Sequence, residues 1–190
     1  IFLAIFAPLL APYSPYEQHA EALLTPPAWD LLGQIIHPFG TDALGRDIFS
    51  RVLLGIGYSF GLAIVAVILA LSIGILIGTL AGFSKGIRSS VLNHLLDILL
   101  TMPSLLIAIV IVAILGPGVA NTFWAVVLAM LPQFIHHIRT EITELLNKDF
   151  VIAFKLDGAS KTQLFRHALF PNIIENLTVF STLAISSAVL

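Results

Sequence analysis

Long apolar runs, separated by shorter polar segments, set the pattern of this chain. A helix crosses the hydrocarbon core of a bilayer with about 20 apolar residues, and the three middle runs reach that length. The first and last runs are shorter and stop at the ends of the sequence. We therefore predict pieces of five membrane helices, in a chain truncated at both ends, over the runs 1–11, 58–83, 91–115, 119–138 and 173–190.

The basic residues predict how these helices are oriented. Lysine and arginine are enriched in the cytoplasmic loops of membrane proteins. The Pro-rich polar segment 12–51 holds only Arg46 and Arg51 and is therefore predicted to be external. The turn after the second run and the segment after the fourth are predicted to be cytoplasmic, because they hold the other seven: Lys85, Arg88, Arg139, Lys148, Lys155, Lys161 and Arg166.

The composition favours a membrane protein: 58% of the residues are hydrophobic, 11% are charged and the mean hydropathy is +1.01. Soluble domains carry about a quarter charged residues. The absence of cysteine excludes disulfides, thiol catalysis and cysteine-ligated metals. No G-x-x-x-x-G-K-S/T phosphate loop occurs, which excludes ATP binding by that route. His136 and His137 are adjacent and point in different directions on a helix, so no metal site is predicted.

Small residues and prolines predict how the spans pack and bend. Gly74, Gly78 and Gly82 recur every fourth residue on one face of the second span, and small residues at that spacing let two membrane helices approach closely. Pro103 and Pro132 each remove a backbone donor inside a predicted span. We expect a kink or local unwinding at both prolines.

Three ionisable residues lie near the ends of predicted spans: His94, Asp97 and Glu175. Burying such groups in a bilayer is expensive, so each is a candidate for function. The alternative, which we favour, is that groups so close to the span ends reach the interface. Their roles stay open from the sequence.

The polar segment after the fourth run predicts two short helices around a glycine. Apolar residues recur at three-to-four spacing over 141–154, with a possible interruption near Asn147. Gly158 is a stop signal, and Ser160 with Gln163 forms a capping box for the next helix. Pro171 marks entry to the last span. Such a segment either fits a cleft of a soluble partner or is an ordinary surface loop, and the pattern alone leaves both open.

The spacing Ala153-x4-Gly158-x12-Pro171 resembles the EAA loop of bacterial ABC-transporter permeases. The local sequences 150–153 and 157–160 resemble it too, although Ile152 and Phe154 replace the usual first Glu and second Ala. The resemblance implies that 142–169 is a cytoplasmic coupling loop docking on an ATP-binding subunit. The implied docking residues are Ala153, Phe154, Lys155, Asp157, Gly158, Ala159, Ser160 and Pro171.

A second signature, Phe-Gly-Thr-Asp-Ala-Leu-Gly-Arg-Asp-Ile-Phe-Ser-Arg at 39–51, looks like the external segment of dipeptide, oligopeptide and nickel permeases of the C-subunit type. The sequences 93–97 and 115–118 are most similar to the Sap-type transporter, which is associated with antimicrobial peptide uptake. Within the 39–51 motif, Asp42, Arg46 and Asp47 either pair with each other to fix the turn, which we favour, or contact a substrate-binding protein. The implied motif residues are Gly40, Thr41, Asp42, Gly45, Arg46 and Asp47.

The resemblance covers essentially the whole chain. It implies an all-α polytopic helix bundle of the type I ABC importer kind, a fragment of a six-span protein in the bacterial inner membrane. Residues 1–190 would form a single transmembrane permease domain without catalytic residues, and ATP and Mg would bind to partner subunits. The implied partners are a second homologous permease, two ATP-binding cassette subunits, a periplasmic substrate-binding protein and membrane lipid, but no nucleic acid.

Alternatives remain at this point. A dipeptide, nickel or polyamine permease would share the same architecture. An ATP-independent channel or secondary transporter would show ionisable residues deep in the spans and inverted repeats, and neither is clear here. A membrane-embedded enzyme would need clustered catalytic groups, for which His94 and Asp97 are too little.

Overall fold

A computed structural model of the chain describes residues 2–84 and 86–189, without the side chains of residues 88, 89 and 92. Over this part of the chain the fold is all-α, as predicted, and the one β feature is an isolated bridge between Thr41 and Asp47. The helices are α1 (Phe2–Leu10), α2 (Ile48–Gly82), α3 (Ile87–Thr101), α4 (Ser104–Leu115), α5 (Val119–Leu145), α6 (Asp149–Leu156), α7 (Lys161–Leu164) and α8 (Phe170–Val189).

Three helical stretches within the described residues are long and apolar enough to cross a membrane: 48–82, 119–145 and 161–189. The second span begins ten residues before the predicted start, at Ile48 rather than Tyr58, so the end of the 39–51 motif is already helical. At 1.5 Å per residue, 35 residues extend over about 52 Å, more than the roughly 30 Å hydrocarbon core. Polar residues therefore marked the edge of the apolar run but not the end of the helix.

The third predicted span is broken into two helices. α3 and α4 meet at an angle of 90° across Met102 and Pro103. Met102 is extended (φ −89°, ψ 132°), because the ring of a following proline disfavours helical backbone. The expected unwinding therefore occurs at Pro103, whereas α5 continues through Pro132 without a break.

The last span differs from the prediction. The predicted second short helix is not separate, because α7 continues through a π-helical turn, Phe165–Leu169, directly into α8. Pro171 lies in the first turn of α8 rather than at a boundary. A proline ring clashes with the carbonyl four residues earlier, here His167, and that carbonyl belongs to the wider π turn. The π turn thus explains how the helix passes the proline.

The chain divides into two compact units, residues 1–63 and 64–190. The core of the second unit lies along α5, where α2 and α8 pack against it in two clusters. One cluster joins α2 residues Ala66, Val67 and Ala70 to Val127, Met130, Phe134 and Ala184. The other contains the buried residues Ile138, Ile142, Val151, Leu164, Ala168, Leu169, Ile173 and Leu177.

The glycine stripe of α2 lies against α5. A Cβ at Gly74 would come within 2.7 Å of Cβ of Phe134, and one at Gly78 within 2.9 Å of Cβ of Ile138. At Gly82 it would come within 2.7 Å of Cγ2 of Ile142. No side chain larger than hydrogen fits without a shift of one helix.

Candidate functional site

The 142–169 segment leaves the membrane helix α5 through a short turn. α5 ends at Leu145, Asn147 lies in the turn, and α6 starts at Asp149. The interruption predicted near Asn147 is therefore present. Lys155 reaches back across this turn and donates from Nζ to the carbonyl of Leu146 at 3.0 Å.

Gly158 ends α6 in a left-handed conformation, with φ 82°. The amide of Gly158 donates to the carbonyl of Lys155 at 3.1 Å, and the amide of Ala159 donates to that of Phe154 at 3.3 Å. These two bonds form a Schellman motif, which satisfies carbonyls left open at a helix end. A Cβ at Gly158 would meet no heavy atom within 4 Å, so the glycine is required by backbone conformation and not by space.

Ser160 starts α7 with the predicted capping box. Its amide donates to Oε1 of Gln163 at 2.9 Å, and its Oγ accepts from the amide of Gln163 at 3.3 Å. Two donors at the helix start are thereby satisfied. The Schellman motif and the capping box lie back to back and define the turn between α6 and α7.

One residue anchors α6 to the bundle. Val151 is fully buried and belongs to the cluster that includes Ile142 of α5, Leu169 of the π turn and Ile173 of α8. α6 also contacts α7 and the π turn directly. A displacement of α6 would therefore also displace residues of α5 and α8.

Most of the α6 surface is exposed, and its exposed side chains are largely apolar. Leu156 is 83% exposed, and Phe150, Ile152 and Phe154 are exposed at other positions around the helix. Next to it lies an open cleft of about 350 Å³, which brings together Phe154, Asp157, Gly158, Ala159, Gln163 and His167.

The structure thus places four predicted docking residues in one cleft, with Ala153, Lys155 and Ser160 exposed around it. Pro171 lies in α8 and does not line this cleft. Sequence reasoning missed His167, whose Nδ1 lies 3.1 Å from the carbonyl oxygen of Gln163. The available signal was their spacing of four residues, which puts both on one helix face.

Asp42 organises the turn of the 39–51 motif. Its Oδ1 accepts from the amides of Leu44 at 2.9 Å and Arg46 at 3.0 Å. Its Oδ2 accepts from Nε of Arg46 at 2.8 Å and also from the guanidinium of Arg51. The expected pairing of Asp42 with Arg46 is therefore present.

The pKa of Asp42 is low. Desolvation raises it, but the hydrogen bonds from the backbone of Arg46 and Leu44, together with the guanidinium of Arg46, lower the pKa from 3.8 to about 2. The carboxylate form is therefore stabilised in the folded turn.

Asp47 does not pair with Arg46 as expected but faces inward. It is fully buried; its Oδ1 lies 3.0 Å from Nδ1 of His37, and its Oδ2 accepts from the amide and the hydroxyl of Ser50 at 2.8 and 2.7 Å. Sequence reasoning missed His37, which is also buried. Its ring packs against those of Tyr13 and His19, with centroids 5.1 and 5.2 Å away.

The other motif residues hold the chain close to itself. Gly40 and Gly45 have φ of 76° and 71°, and a Cβ at either would lie 2.2 Å from a carbonyl oxygen, of Thr25 and His19 respectively. Thr41 donates its amide to Thr25 and its hydroxyl to Ala22. All six predicted motif residues thus fold the segment on itself.

The remaining ionisable candidates lie at the surface of the chain. His94 and Asp97 of α3 and Glu175 of α8 are exposed. His136 and His137, which were expected to point in different directions, both line one cleft. The prediction that no metal is bound stays a prediction.

Comparisons with known proteins agree on a family. Residues 74–190 match the family described as binding-protein-dependent transport system inner membrane component. Over 190 residues, which are 100% of this chain and 63% of the relative, the chain is 44% identical to the di/tripeptide transport system permease protein DppC of Pseudomonas aeruginosa (strain UCBPP-PA14). Over the same shares it is 45% identical to the dipeptide transport system permease protein DppC of Escherichia coli (strain K12).

A third relative has another name. The chain is 43% identical over 173 residues to the peptide transport system permease protein SapC of Haemophilus influenzae, a match that covers 91% of this chain and 59% of the relative. The chain spans less than two thirds of the length of these three relatives.

Proposed function

We propose, because this chain belongs to the family of binding-protein-dependent transport system inner membrane components, that it is part of the permease of an ATP-driven peptide importer. The chain is part of an inner-membrane protein, as the family resemblance implied. The peptide substrate is proposed from relatives named as dipeptide, di/tripeptide and peptide permeases. The narrower proposal, that the transported peptides are antimicrobial, rests on the Sap-type resemblance.

The chain is proposed to move substrate without hydrolysing ATP itself. It has no phosphate loop of the G-x-x-x-x-G-K-S/T form. ATP and Mg would bind to two ATP-binding cassette subunits. A second homologous permease would complete the pathway in the membrane, and a periplasmic binding protein would deliver the substrate.

The pattern of exposed and buried residues in α6 is the main support for this proposal. Its exposed apolar residues Ile152 and Leu156 suit docking on a soluble subunit, while Val151, which points in a different direction, is anchored between α5 and α8. Closure of the ATPase pair would push α6, and α6 would move the two membrane helices. The permease would thereby alternate between inward-open and outward-open states.

The 39–51 motif supports a structural role on the external side. The carboxylate of Asp42 bonds Arg46 and Arg51, and that of Asp47 bonds His37 and Ser50. We therefore assign the motif to holding the external segment in shape, and a contact with the binding protein is the second candidate.

A co-purification experiment tests the proposed function. The full-length protein is tagged, extracted from membranes and assayed for bound ATPase subunits, a second permease and peptide-stimulated ATP hydrolysis. Leu156→Asp places a charge on the exposed face of α6, and we expect it to release the ATPase subunits. Leu31→Asp is the matched control, because Leu31 is fully exposed at 103% but lies in the 12–51 segment.

The two outcomes separate the proposals. Loss of the ATPase subunits with Leu156→Asp but not with Leu31→Asp supports docking at α6. A protein that purifies alone, and on which no ATPase activity depends, would contradict the importer and favour the channel or secondary transporter.

A further inference from the structure

A cleft with four polar and two apolar lining residues opens between α3, α5 and α8 in the second compact unit. It has a volume of about 310 Å³ and is lined by Leu100, Gln133, His136, His137, Thr140 and Phe180. The cleft is separate from the α6 surface, whose lining residues it does not share.

The polar residues of the cleft form a stripe along α5. Gln133, His136, His137 and Thr140 are spaced by three, one and three residues, so they occupy one face of the helix. His136 is 17 residues beyond the start of α5, about 25 Å along the axis, which is close to the far edge of a hydrocarbon core of about 30 Å. Ionisable groups in membrane-spanning helices are candidates for substrate or ion pathways.

The two histidines have free hydrogen-bonding capacity. Across residues 2–84 and 86–189, no hydrogen-bond partner reaches Nδ1 of His136 or Nε2 of His137, although both atoms are buried. Oε1 of Glu141 lies 4.0 Å from Nε2 of His137, and it already accepts a hydrogen bond from Nδ2 of Asn176 at 2.8 Å. Buried polar atoms without partners are costly unless a ligand or water supplies the bond.

Phe180 fixes the plane of one of these rings. It stacks on His137 with 4.4 Å between centroids and 12° between planes, and it meets Phe134 edge-on at 5.1 Å. The direction of Nε2 is therefore set by packing before any ligand arrives, which reduces the ordering that binding requires.

We propose that this cleft is a contact site for the peptide during passage, where Gln133, His136 and His137 bond its main-chain carbonyl or C-terminal carboxylate oxygens. Main-chain groups are common to all peptides, so such contacts tolerate varied sequences. Leu100 and Phe180 offer apolar walls to the peptide side chains. The proposal rests on the proposed peptide-import function and names the residues through which it acts.

Site-specific crosslinking tests the contact directly. The chain has no cysteine of its own, so Gln133→Cys introduces a single thiol in the cleft of the full-length transporter, after replacement of any cysteine elsewhere. The probe is a transported peptide carrying a maleimide, supplied with the binding protein and ATP. We expect a peptide adduct at Gln133→Cys, reduced by excess unlabelled peptide, and none at His94→Cys on exposed α3.

Uptake kinetics provide a second, independent readout. Gln133→Leu and His136→Leu each remove hydrogen-bonding groups, and we expect the half-saturating peptide concentration to rise about five- to tenfold. His136→Gln keeps a donor and an acceptor, so its half-saturating peptide concentration should stay close to that of the unmutated protein. His94→Leu should transport like the unmutated protein.

Each outcome decides one claim. If the unmutated transporter moves peptide but Gln133→Cys gives no adduct and Gln133→Leu shows normal uptake, the cleft proposal is wrong and the import function stands. A crosslink from Gln133→Cys to the second permease instead of to peptide would make the cleft a subunit contact and would also overturn it. If the unmutated transporter moves no peptide, both proposals fail.

Discussion

Asp42 shows how one carboxylate holds a whole turn. It receives two amides and two guanidinium groups, so the ionised form is bound more tightly in the folded turn than in an unfolded chain. Its pKa is lowered from 3.8 to about 2. A depressed pKa contributes stability that is fully present above pH 3.8 and is lost as the pH falls towards about 2.

The first prediction concerns acid sensitivity. In the full-length protein, pepsin cleavage within 12–51 should accelerate between pH 4 and pH 2, because protonated Asp42 no longer holds Arg46 and Arg51. The Asp42→Asn protein should be cleaved faster than the unmutated protein at pH 4, and its cleavage rate should rise less as the pH falls further. Asp30→Asn, another aspartate in the same segment, is the control. An Asp42→Asn profile identical to that of the unmutated protein would contradict this role.

The second prediction concerns the glycine stripe. A Cβ at Gly78 would lie 2.9 Å from Cβ of Ile138, so Gly78→Ala should force α2 and α5 apart and destabilise the protein by about 1–3 kcal/mol. Gly61 lies in the same helix with nothing within 4 Å, so Gly61→Ala should be neutral or stabilising. Thermal unfolding in detergent measures both. Equal shifts for the two variants would contradict close packing at Gly78.

At the residue scale, the sequence predicted what depends on local spacing. Ser160 and Gln163 were recognisable because the capping box is a signal within four consecutive residues. The bond between Asp47 and His37 was not, because it joins residues ten apart through the fold of an irregular segment. His37 carried no periodic pattern that indicated its burial.

At the element scale, α6 has two faces with different tasks, and neighbouring residues separate them. Val151 is fully buried, whereas Ile152 is 43% exposed. The first therefore fixes α6 to α5 and α8, and the second lies on the proposed docking face.

The third prediction compares these two residues. Val151→Ala should lower the free energy of unfolding by about 2 kcal/mol, because it leaves a cavity in a packed cluster. Ile152→Ala should leave stability unchanged within about 0.5 kcal/mol, as exposed substitutions do, and weaken ATPase binding. Chemical denaturation and co-purification measure the two effects. The same stability loss for both variants would contradict the two-faced arrangement.

The fourth prediction concerns the bend at Pro103. Pro103→Ala restores a backbone donor and lets Met102 become helical, so the 90° angle between α3 and α4 should decrease. The distance between spin labels at Leu95 and Ile109, both exposed, should then lengthen. The matched variant Pro132→Ala should leave α5 unchanged, because that helix is already continuous. An unaltered distance in Pro103→Ala would mean that tertiary packing, not proline, sets the bend.

Apolar periodicity predicted which elements exist but not all of their limits. The break at Pro103 and the turn at Gly158 followed from local chemistry. The continuity from α7 to α8 did not, because Pro171 was interpreted as the entry to a separate span, and the π turn before it has no sequence pattern of its own. The early start of α2 was missed for a related reason: the apolar run begins at Tyr58, whereas the helix extends beyond that run to Ile48.

At the scale of the whole molecule, hydropathy alone indicated an all-α membrane protein, and two short motifs indicated the family. Relatives of the dipeptide and Sap types are 45% and 43% identical to this chain, so identity does not separate them. In the proposed importer, specificity would also depend on the proposed binding protein.

We propose that 142–169 couples ATP hydrolysis to transport through the turn at Gly158. Gly158 and Gly116 have nearly equal φ, 82° and 85°, and both have open space around Cβ. Valine at either position meets the same left-handed strain, on the order of 1–2 kcal/mol. Only Gly158 lies in the 142–169 segment, so the two substitutions differ in place and not in chemistry.

The most direct measurement is peptide-stimulated ATP hydrolysis by the reconstituted full-length transporter carrying Gly158→Val or Gly116→Val. We predict that Gly158→Val inserts into the membrane but loses stimulation, that Gly158→Asn, which tolerates the left-handed conformation, retains most of it, and that Gly116→Val keeps it. Normal stimulation in Gly158→Val, or equal loss in Gly116→Val, would contradict coupling through this segment.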